Sequence, residues 1–413
     1  MAEIMVLGAG MVGLGTALAL QARGHAVTLV DRGPPGAETS HGNAGAIQVE
    51  AAEPYAMPRD LATLTGHALG RSNDVSFRWR DLPAIAPALW RYWRASAPGN
   101  VARIGPAYAA LTTRAVADHA PLIAAAGLDN LVRRTGLIEI YRDPGRLQAA
   151  QRAAERMART YGTVFEALDG PATARAEPAL RRAVAGAILW RDPWSVSDPG
   201  ALGAGYGALF ERRGGRIVTA DAMALQSRGG GWHLPGAGID AEAAVVALGP
   251  WSPALMRRFG YRIPMLWKRG YHAHFRTPLP IHRPTLDTDH GVVLSSMAAG
   301  LRITTGAAFV ARDAPVDLRQ LHRGLAGARE LFEIGEAMPG QVWHGHRPCL
   351  PEMLPLIGRA PRHAGLWVNF GHGHQGFTLG PTTGAVLAAL FDSEPPPLAP
   401  AHVAALGAAP RFG

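Results

Sequence analysis

An apolar run at residues 4–7 leads into Gly8-Ala9-Gly10-Met11-Val12-Gly13, an apolar stretch at 14–21 follows, and a second run at 26–30 ends on Asp31. This order commits the start of the chain to strand, glycine loop, helix and strand, and each part has its own reason to bind a dinucleotide. Gly8 permits a tight turn, Gly10 lets backbone N–H groups approach a pyrophosphate, and Gly13 lets helix and strand pack closely. Unpaired N–H groups and the dipole at the helix N-terminus favour the phosphates, with Met11 and Val12 opening that helix. Asp31 stands where a carboxylate can accept both hydroxyls of an adenosine ribose. A lone glycine pattern means little; here its whole context is present.

A chain of 413 residues favours two domains. Its 48 % hydrophobic content supports a sizeable core, and no apolar run approaches the ~18 residues of a spanning helix. The first strand begins almost at Met1, which leaves no room for a cleavable signal peptide, so cytoplasmic residence is expected. Cys349 is the only cysteine, which excludes an intramolecular disulfide. The net charge of +9 invites a nucleic-acid partner. We reject that reading: Lys268 is the only lysine, and the arginines are scattered rather than gathered in a basic run with aromatics.

Further along, residues 80–180 read as mostly helical, with Pro83, Pro87 and Pro98 cutting the first part into short pieces. Strands are expected at 136–142 and 185–190. Asp198-Pro199 reads as an N-cap with proline at the first helical position, and 243–248 as a buried strand feeding Gly249. Long strands between 266 and 305 lack crossover helices and predict a second, antiparallel sheet. A strand at 366–370 meets the Gly-rich loop 371–376 and a closing helix, and 394–410 reads as a poorly ordered or surface-draped tail. The fold expected is α/β: a doubly wound Rossmann-like nucleotide-binding domain (1–75, 196–262, 345–413) interrupted by a substrate domain of antiparallel sheet plus helices (76–195, 263–344).

Four segments together carry a resemblance. The first is the opening unit with Asp31-Arg32. The second is Glu38-Thr39-Ser40-His41-Gly42-Asn43-Ala44-Gly45, followed by Ala46; the third is Val245-Val246-Ala247-Leu248-Gly249-Pro250-Trp251-Ser252. The fourth comprises His346-Arg347-Pro348-Cys349, Leu354-Pro355-Leu356-Ile357-Gly358 and Phe370-Gly371-His372-Gly373-His374-Gln375-Gly376-Phe377-Thr378. With these the chain resembles the glycine oxidase / D-amino-acid dehydrogenase group of FAD-dependent amine oxidoreductases, over nearly its whole length. The resemblance implies FAD as cofactor. Thr39 and Ser40 would bond its pyrophosphate, the small residues from Asn43 to Ala46 would lie against the flavin, and Gly249 and Trp251 would close the adenine side. Met223, on the preceding strand, would pack on the adenine. His372 to Thr378 would wrap the flavin pyrimidine, with the helix N-terminus stabilising negative charge there.

The same resemblance makes Arg347 the grip on a substrate carboxylate, because a guanidinium holds a carboxylate through two parallel charge-assisted bonds. The alternative for Arg347 is a surface ion pair. Tyr271 and His374 join it as candidate catalytic residues. Strand alternation sets Tyr271 and Ala273 against His272 and His274, without telling which face lines the pocket. The His-x-His pairs lack a cysteine or carboxylate at ligand spacing, so no metal is expected. Cys349 is expected to be a buried neutral thiol, with a covalent flavin link as the alternative.

The activity implied is oxidation of a small amino acid's amine, a D-amino acid or D-imino acid such as a proline derivative, by hydride transfer from Cα to flavin N5. Alternatives are an oxidase of sarcosine or other N-methylated amino acids, or a non-catalytic FAD subunit of an electron-transfer complex. The electron acceptor (oxygen, quinone or protein) is open. An aromatic–arginine stretch at 77–94 raises peripheral contact with the inner face of the membrane, against a plain covering helix.

Overall fold

A computed structural model describes residues 1–340, 342–408 and 411–412. The opening run forms the strand Glu3–Leu7, with Ile4 to Leu7 at most 1 % exposed. It is buried on both faces because both faces are covered: Ile4 and Val6 join one core cluster, Met5 and Leu7 the other. The strand sits inside a six-stranded sheet ordered Arg216–Thr219, Ala26–Asp31, Glu3–Leu7, Ala243–Val246, Leu366–Phe370, Leu356–Arg359. Every neighbouring pair is parallel except the last. One face carries the helices Met11–Ala22 and Gly376–Phe391. Their backbones touch, since a Cβ on Gly15 would lie 2.4 Å from the Gly380 carbonyl oxygen. The other face carries a small antiparallel sheet holding the buried Trp232.

The second sheet has ten strands and is largely antiparallel. Its centre is Leu266–Phe275, flanked by Gly300–Thr305 and Ala307–Phe309, and paired on its other side with Trp343–Cys349 from Leu266↔Cys349 to His272↔Trp343. The strands Leu137–Tyr141 and Gly186–Trp190 lie where the sequence placed them and extend the same sheet.

Four expectations need correction. The strand Trp343–Cys349 straddles the boundary drawn at 344/345 and is a strand of the second sheet, paired along its whole length with Leu266–Phe275; its last residue, Cys349, also bridges to His372 in the loop after Leu366–Phe370. The helices Pro98–Thr112 and Ala115–Ala126, assigned by sequence to the substrate domain, bury Ile104, Tyr108, Leu111 and Ile123 in the core of the first sheet. Pro87 does not end a helix; it lies on the exposed side of Leu82–Ala95, close enough to the start that only the first turn loses a hydrogen bond. The segment from 394 is not a loose tail as far as it is described: Pro400–Leu406 is helical, and Leu406 and Ala408 are buried. Residues 409 and 410 of that segment lie outside the described residues.

Candidate functional site

The carboxyl ends of the three central parallel strands open together onto one cleft, the place where an open α/β sheet binds ligands. Gly8 follows the first strand, Ala247 to Trp251 follow Ala243–Val246, and Phe370 to His374 follow Leu366–Phe370; all but Ala9 and Gly371 of these short junctions line the cleft. The cleft spans about 1270 Å³ of atom-free space, the open solvent at its mouth included. Gly8 turns at φ +106°, where a side chain is strained, and a Cβ there would stand 2.5 Å from the Ala247 carbonyl oxygen. A Cβ on Gly13 would stand 1.7 Å from the Gly8 carbonyl oxygen, so Gly13 acts by close packing and does not line the cleft.

At one end of the cleft, the helix Met11–Ala22 begins with Gly10 as a cap that offers no side-chain hydrogen bond, and with no acid in its first turn. Its N-terminal donors are left for an anion. The Ser40 hydroxyl accepts one of them, from Met11 N at 2.9 Å, so the 3-10 turn Thr39–Gly42 is tied against the helix start. Asp31 accepts the N–H groups of Ala9 at 2.6 Å and of Gly33 at 3.1 Å, which fixes its carboxylate at the cleft wall. Arg32 lies over the Trp251 ring at 4.4 Å and bonds Glu38, making a flat platform. Met223 also lines this end, from a turn (Ala222–Ala224) rather than from the strand on which the sequence placed it.

The other end is walled by the second sheet and the loop after Phe370. Gly42, Asn43, Gly270, Thr304, Trp343, Gly345 and Arg347 line it together with Asn369, His372, Gly373, His374, Gly376 and Phe377. Trp343 occupies a slot between two glycines: a Cβ on Gly42 or Gly345 would meet its ring at 1.8 or 2.3 Å. Its indole stacks on His272 with centroids 4.9 Å apart. Polar atoms here lack partners among the described residues, including Asn369 Oδ1, Thr304 Oγ1 and His374 Nε2. Buried polar groups are ordinarily paired, so this wall suits a flat ligand rich in donors and acceptors. With the anion-ready helix start at the opposite end, the residues fit FAD.

Arg347 is the chief charge on this wall. Its guanidinium donates to the carbonyls of Gly306 at 2.6 Å and Thr305 at 3.0 Å, and packs flat on Gly270, where a Cβ would lie 2.7 Å from it. It forms no ion pair among the described residues, so the surface-pair alternative does not apply; burial lowers its pKa. Directly across the strand pair stands Lys268, whose ammonium donates to the Tyr92 hydroxyl at 3.0 Å and lies over the Tyr92 ring. Burial works against that ammonium, but Cys349 and Tyr92 outweigh it and leave its pKa raised. His374 meets the Tyr55 ring edge-on at 3.9 Å, and burial, helped by Arg347 and Lys268, pushes it down to about 3. His372 is pushed down to about 3 by burial alone and bonds Thr383. Both imidazoles are neutral at working pH.

Several sequence candidates are not brought to the wall. Ala44, Gly45 and Ala46 lie behind Asn43, whose Oδ1 accepts the N–H groups of Gly45 and Ala46. Gln375 and Thr378 sit one layer deeper, where Thr378 accepts from Gln48 N. Tyr271 is corrected outright: it is 1 % exposed, packs with Ala308 and Val310, and lies on the face of its strand opposite Gly270, away from the cleft. Alternation allowed either face, and Gly270 under Arg347, with Gly345 under Trp343, decides it. Cys349 is a buried free thiol packed with Ile85, Tyr92 and Phe309, its pKa raised by burial, and it does not line the cleft. Among the described residues no cluster suits a metal. The residues missed by sequence reading were Trp343, Asn369, Tyr55 and Lys268 as a site group. Lys268 had a signal: it is the sole lysine in an arginine-biased chain.

Comparisons with known proteins agree with this geometry. A family model described as DAO, FAD dependent oxidoreductase, matches residues 3–390. The chain is 32 % identical to a D-amino acid dehydrogenase of Dechloromonas aromatica, covering 95 % of this chain and 98 % of the relative. It is 28 % identical to a D-amino-acid oxidase of Bradyrhizobium diazoefficiens, covering 96 % and 97 %. Among solved structures, glycine oxidase from Geobacillus kaustophilus superposes with a TM-score of 0.74 at 22 % identity over all of both chains. Iminodiacetate oxidase from a Chelativorans species gives 0.70 at 20 % identity, covering 96 % and 97 %.

Proposed function

The chain belongs to the DAO family of FAD-dependent oxidoreductases, and from that premise we propose that it oxidises the amine of a small D-amino or D-imino acid to the imino acid. The observation that carries this reading is Arg347: a guanidinium at the cleft wall, two of its five donors on carbonyls and no carboxylate partner among the described residues. A buried unpaired cation is costly to keep. Lys268 opposite it doubles the charge, and like charges across a strand pair repel unless an anion comes between them.

Bound FAD supplies the two-electron acceptor. The chain's own residues do the rest. The N-terminus of Met11–Ala22 and Thr39-Ser40 hold the pyrophosphate, Asp31 the ribose, and Met223 and Trp251 the adenine. Arg347 and Lys268 hold the substrate carboxylate and so fix the direction of the α-carbon's hydrogen. Neutral His374 and Tyr55 wall the site and limit water, and the imine product hydrolyses after release. A free Cys349 away from the cleft supports non-covalent flavin. The D-side assignment draws on the relatives named D-amino acid dehydrogenase and oxidase. Peripheral membrane contact is supported by the exposed Trp79 and Trp90 beside exposed Arg80, Arg91 and Arg94; no helix among the described residues is long and apolar enough to cross a membrane.

Anaerobic mixing with a panel of D- and L-amino acids tests the reading: D-substrates are expected to bleach the flavin. Prompt recolouring in air marks an oxidase, and lasting bleaching a dehydrogenase. In Arg347→Ala, kcat/KM is expected to fall by on the order of 10²-fold or more, with FAD content unchanged. An unaltered kcat/KM would show that the carboxylate is held elsewhere.

A further inference from the structure

Tyr271, turned away from the cleft, lines a second cavity on the opposite face of the same strand. Gly270 lines the cleft and Tyr271 the cavity, so a single strand separates the two spaces. The cavity spans about 990 Å³ of atom-free space, the open solvent at its mouth included. Its least exposed wall is apolar, where Tyr271, Ala308 and Val310 form one buried cluster. Gln320, 4 % exposed, belongs to the same wall, and its Oε1 has no partner among the described residues. Buried polar groups are ordinarily paired, so this wall is incomplete without an occupant. Leu69 and Trp79 form an exposed apolar lip.

Of the guanidiniums that line this cavity, Arg78 pairs with Asp81 at 3.4 Å and Arg319 with Asp317 at 2.6 Å. Arg323 alone is unmatched: it forms no ion pair among the described residues, and its hydrogen bond goes to the Gly70 carbonyl at 3.1 Å. It stands one turn into the helix Arg319–Leu331, which has neither a side-chain cap nor an acid in its first turn. The positive end of that helix adds to the Arg323 charge. Arg323 is exposed whereas Tyr271, Ala308 and Val310 are buried, so the spare charge lies at the rim and the apolar surface inside. That order complements a molecule with one negative charge at one end and an apolar body at the other.

We propose that this second cavity binds a small amphipathic monocarboxylate. Its carboxylate sits on Arg323 at the rim, and its apolar body lies inward against Tyr271, Ala308 and Val310. A guanidinium with donors to spare holds a carboxylate through parallel charge-assisted bonds, and burial of the body supplies the rest of the affinity. A lipid anchored in a bilayer has the reverse order, its head at the rim and its chains outward, and leaves the buried wall uncovered. The occupant lies behind the strand that floors the cleft, apart from Arg347. The site is therefore independent of the amine-oxidation reading.

The test titrates the FAD-loaded protein with butyrate, hexanoate and octanoate by calorimetry while the flavin spectrum is recorded. Hexanoate should bind in two modes. One perturbs the flavin and is lost in Arg347→Ala. The other leaves the flavin spectrum unchanged, persists in Arg347→Ala, and weakens about tenfold in Arg323→Gln. Affinity in this silent mode should rise about fourfold per methylene from butyrate to octanoate. Ser76→Leu, which stands beside Ala308 in register and fills the cavity without changing its charge, should weaken it by about tenfold as well. Unaltered FAD content and melting temperature show both variants folded. Absence of a flavin-silent mode would overturn the proposal, and so would equal affinities in native protein, Arg323→Gln and Ser76→Leu. An affinity flat from butyrate to octanoate marks an adventitious ion only and overturns it too. Binding to phosphatidylglycerol vesicles without binding of any free acid gives the lip to a membrane and refutes the cavity. If the flavin-perturbing mode survives Arg347→Ala, the carboxylate grip proposed for the cleft fails, while Arg323→Gln still judges the second cavity by itself.

Discussion

The two ends of the cleft are built on different principles. The dinucleotide end is made of backbone: helix donors, close glycine contacts, and a carboxylate already seated on two N–H groups. The substrate end is made of side chains from distant strands, and several keep charges or polar atoms unpaired. Backbone sites tolerate no added volume but carry little charge stress. Side-chain sites hold that stress in reserve for a ligand that relieves it.

The largest test of this contrast is Gly13→Ala. A methyl group 1.7 Å from the Gly8 carbonyl must displace the first strand or the helix. The protein is expected to purify without flavin colour and to lose more than the ~1–3 kcal/mol typical of overpacking; a yellow, equally stable variant would break the backbone account.

Next is the pH dependence of stability in the substrate-free enzyme. Glu50 is held at about 7, above its ordinary value, so the stability of its neutral form is fully present below the unfolded pKa and is lost as pH rises through 7. Ionising it in the fold costs on the order of 3 kcal/mol, and Glu50→Gln should melt higher than the native protein above pH 7. The buried histidines act in the opposite window. His119 is held at about 4 and His372 and His374 at about 3, burial being the first cause in each. Their contribution is present above the unfolded histidine pKa and is lost as pH falls, so both proteins should destabilise alike in acid. Identical melting curves on the alkaline side would remove Glu50 from the stressed set.

The smallest effect expected is that of Lys268→Met. It keeps the stem among Tyr92 and Phe309 but removes one of two cations. KM for the amino acid should rise about tenfold, ~1.4 kcal/mol, with FAD affinity unchanged. Because Lys268 is the only lysine, its labelling by an amine-reactive reagent, and protection by isobutyrate, can be read in the native chain.

The same contrast explains what was legible beforehand. The strand–glycine–helix–strand unit, the Asp198 cap and the long antiparallel strands follow from local spacing, and they appear as expected. Helices 98–126 were misassigned because an apolar face says that a helix is buried, not against which sheet. Tyr271 was misplaced because period-two alternation fixes which residues share a face and leaves the side open. Glu50 gave no signal, since a lone glutamate in a loop reads as solvated until the fold removes its water.

By itself, then, the sequence determined the cofactor end: glycine positions, a helix start and a terminal acid are requirements met within some thirty residues. Only the tertiary structure decided the substrate end. Arg347, Lys268 and Tyr55 come from three separate stretches of chain, and whether a charge is paired depends on which strands pack around it. Pairing and desolvation are properties of the folded neighbourhood, and no spacing along the chain encodes them.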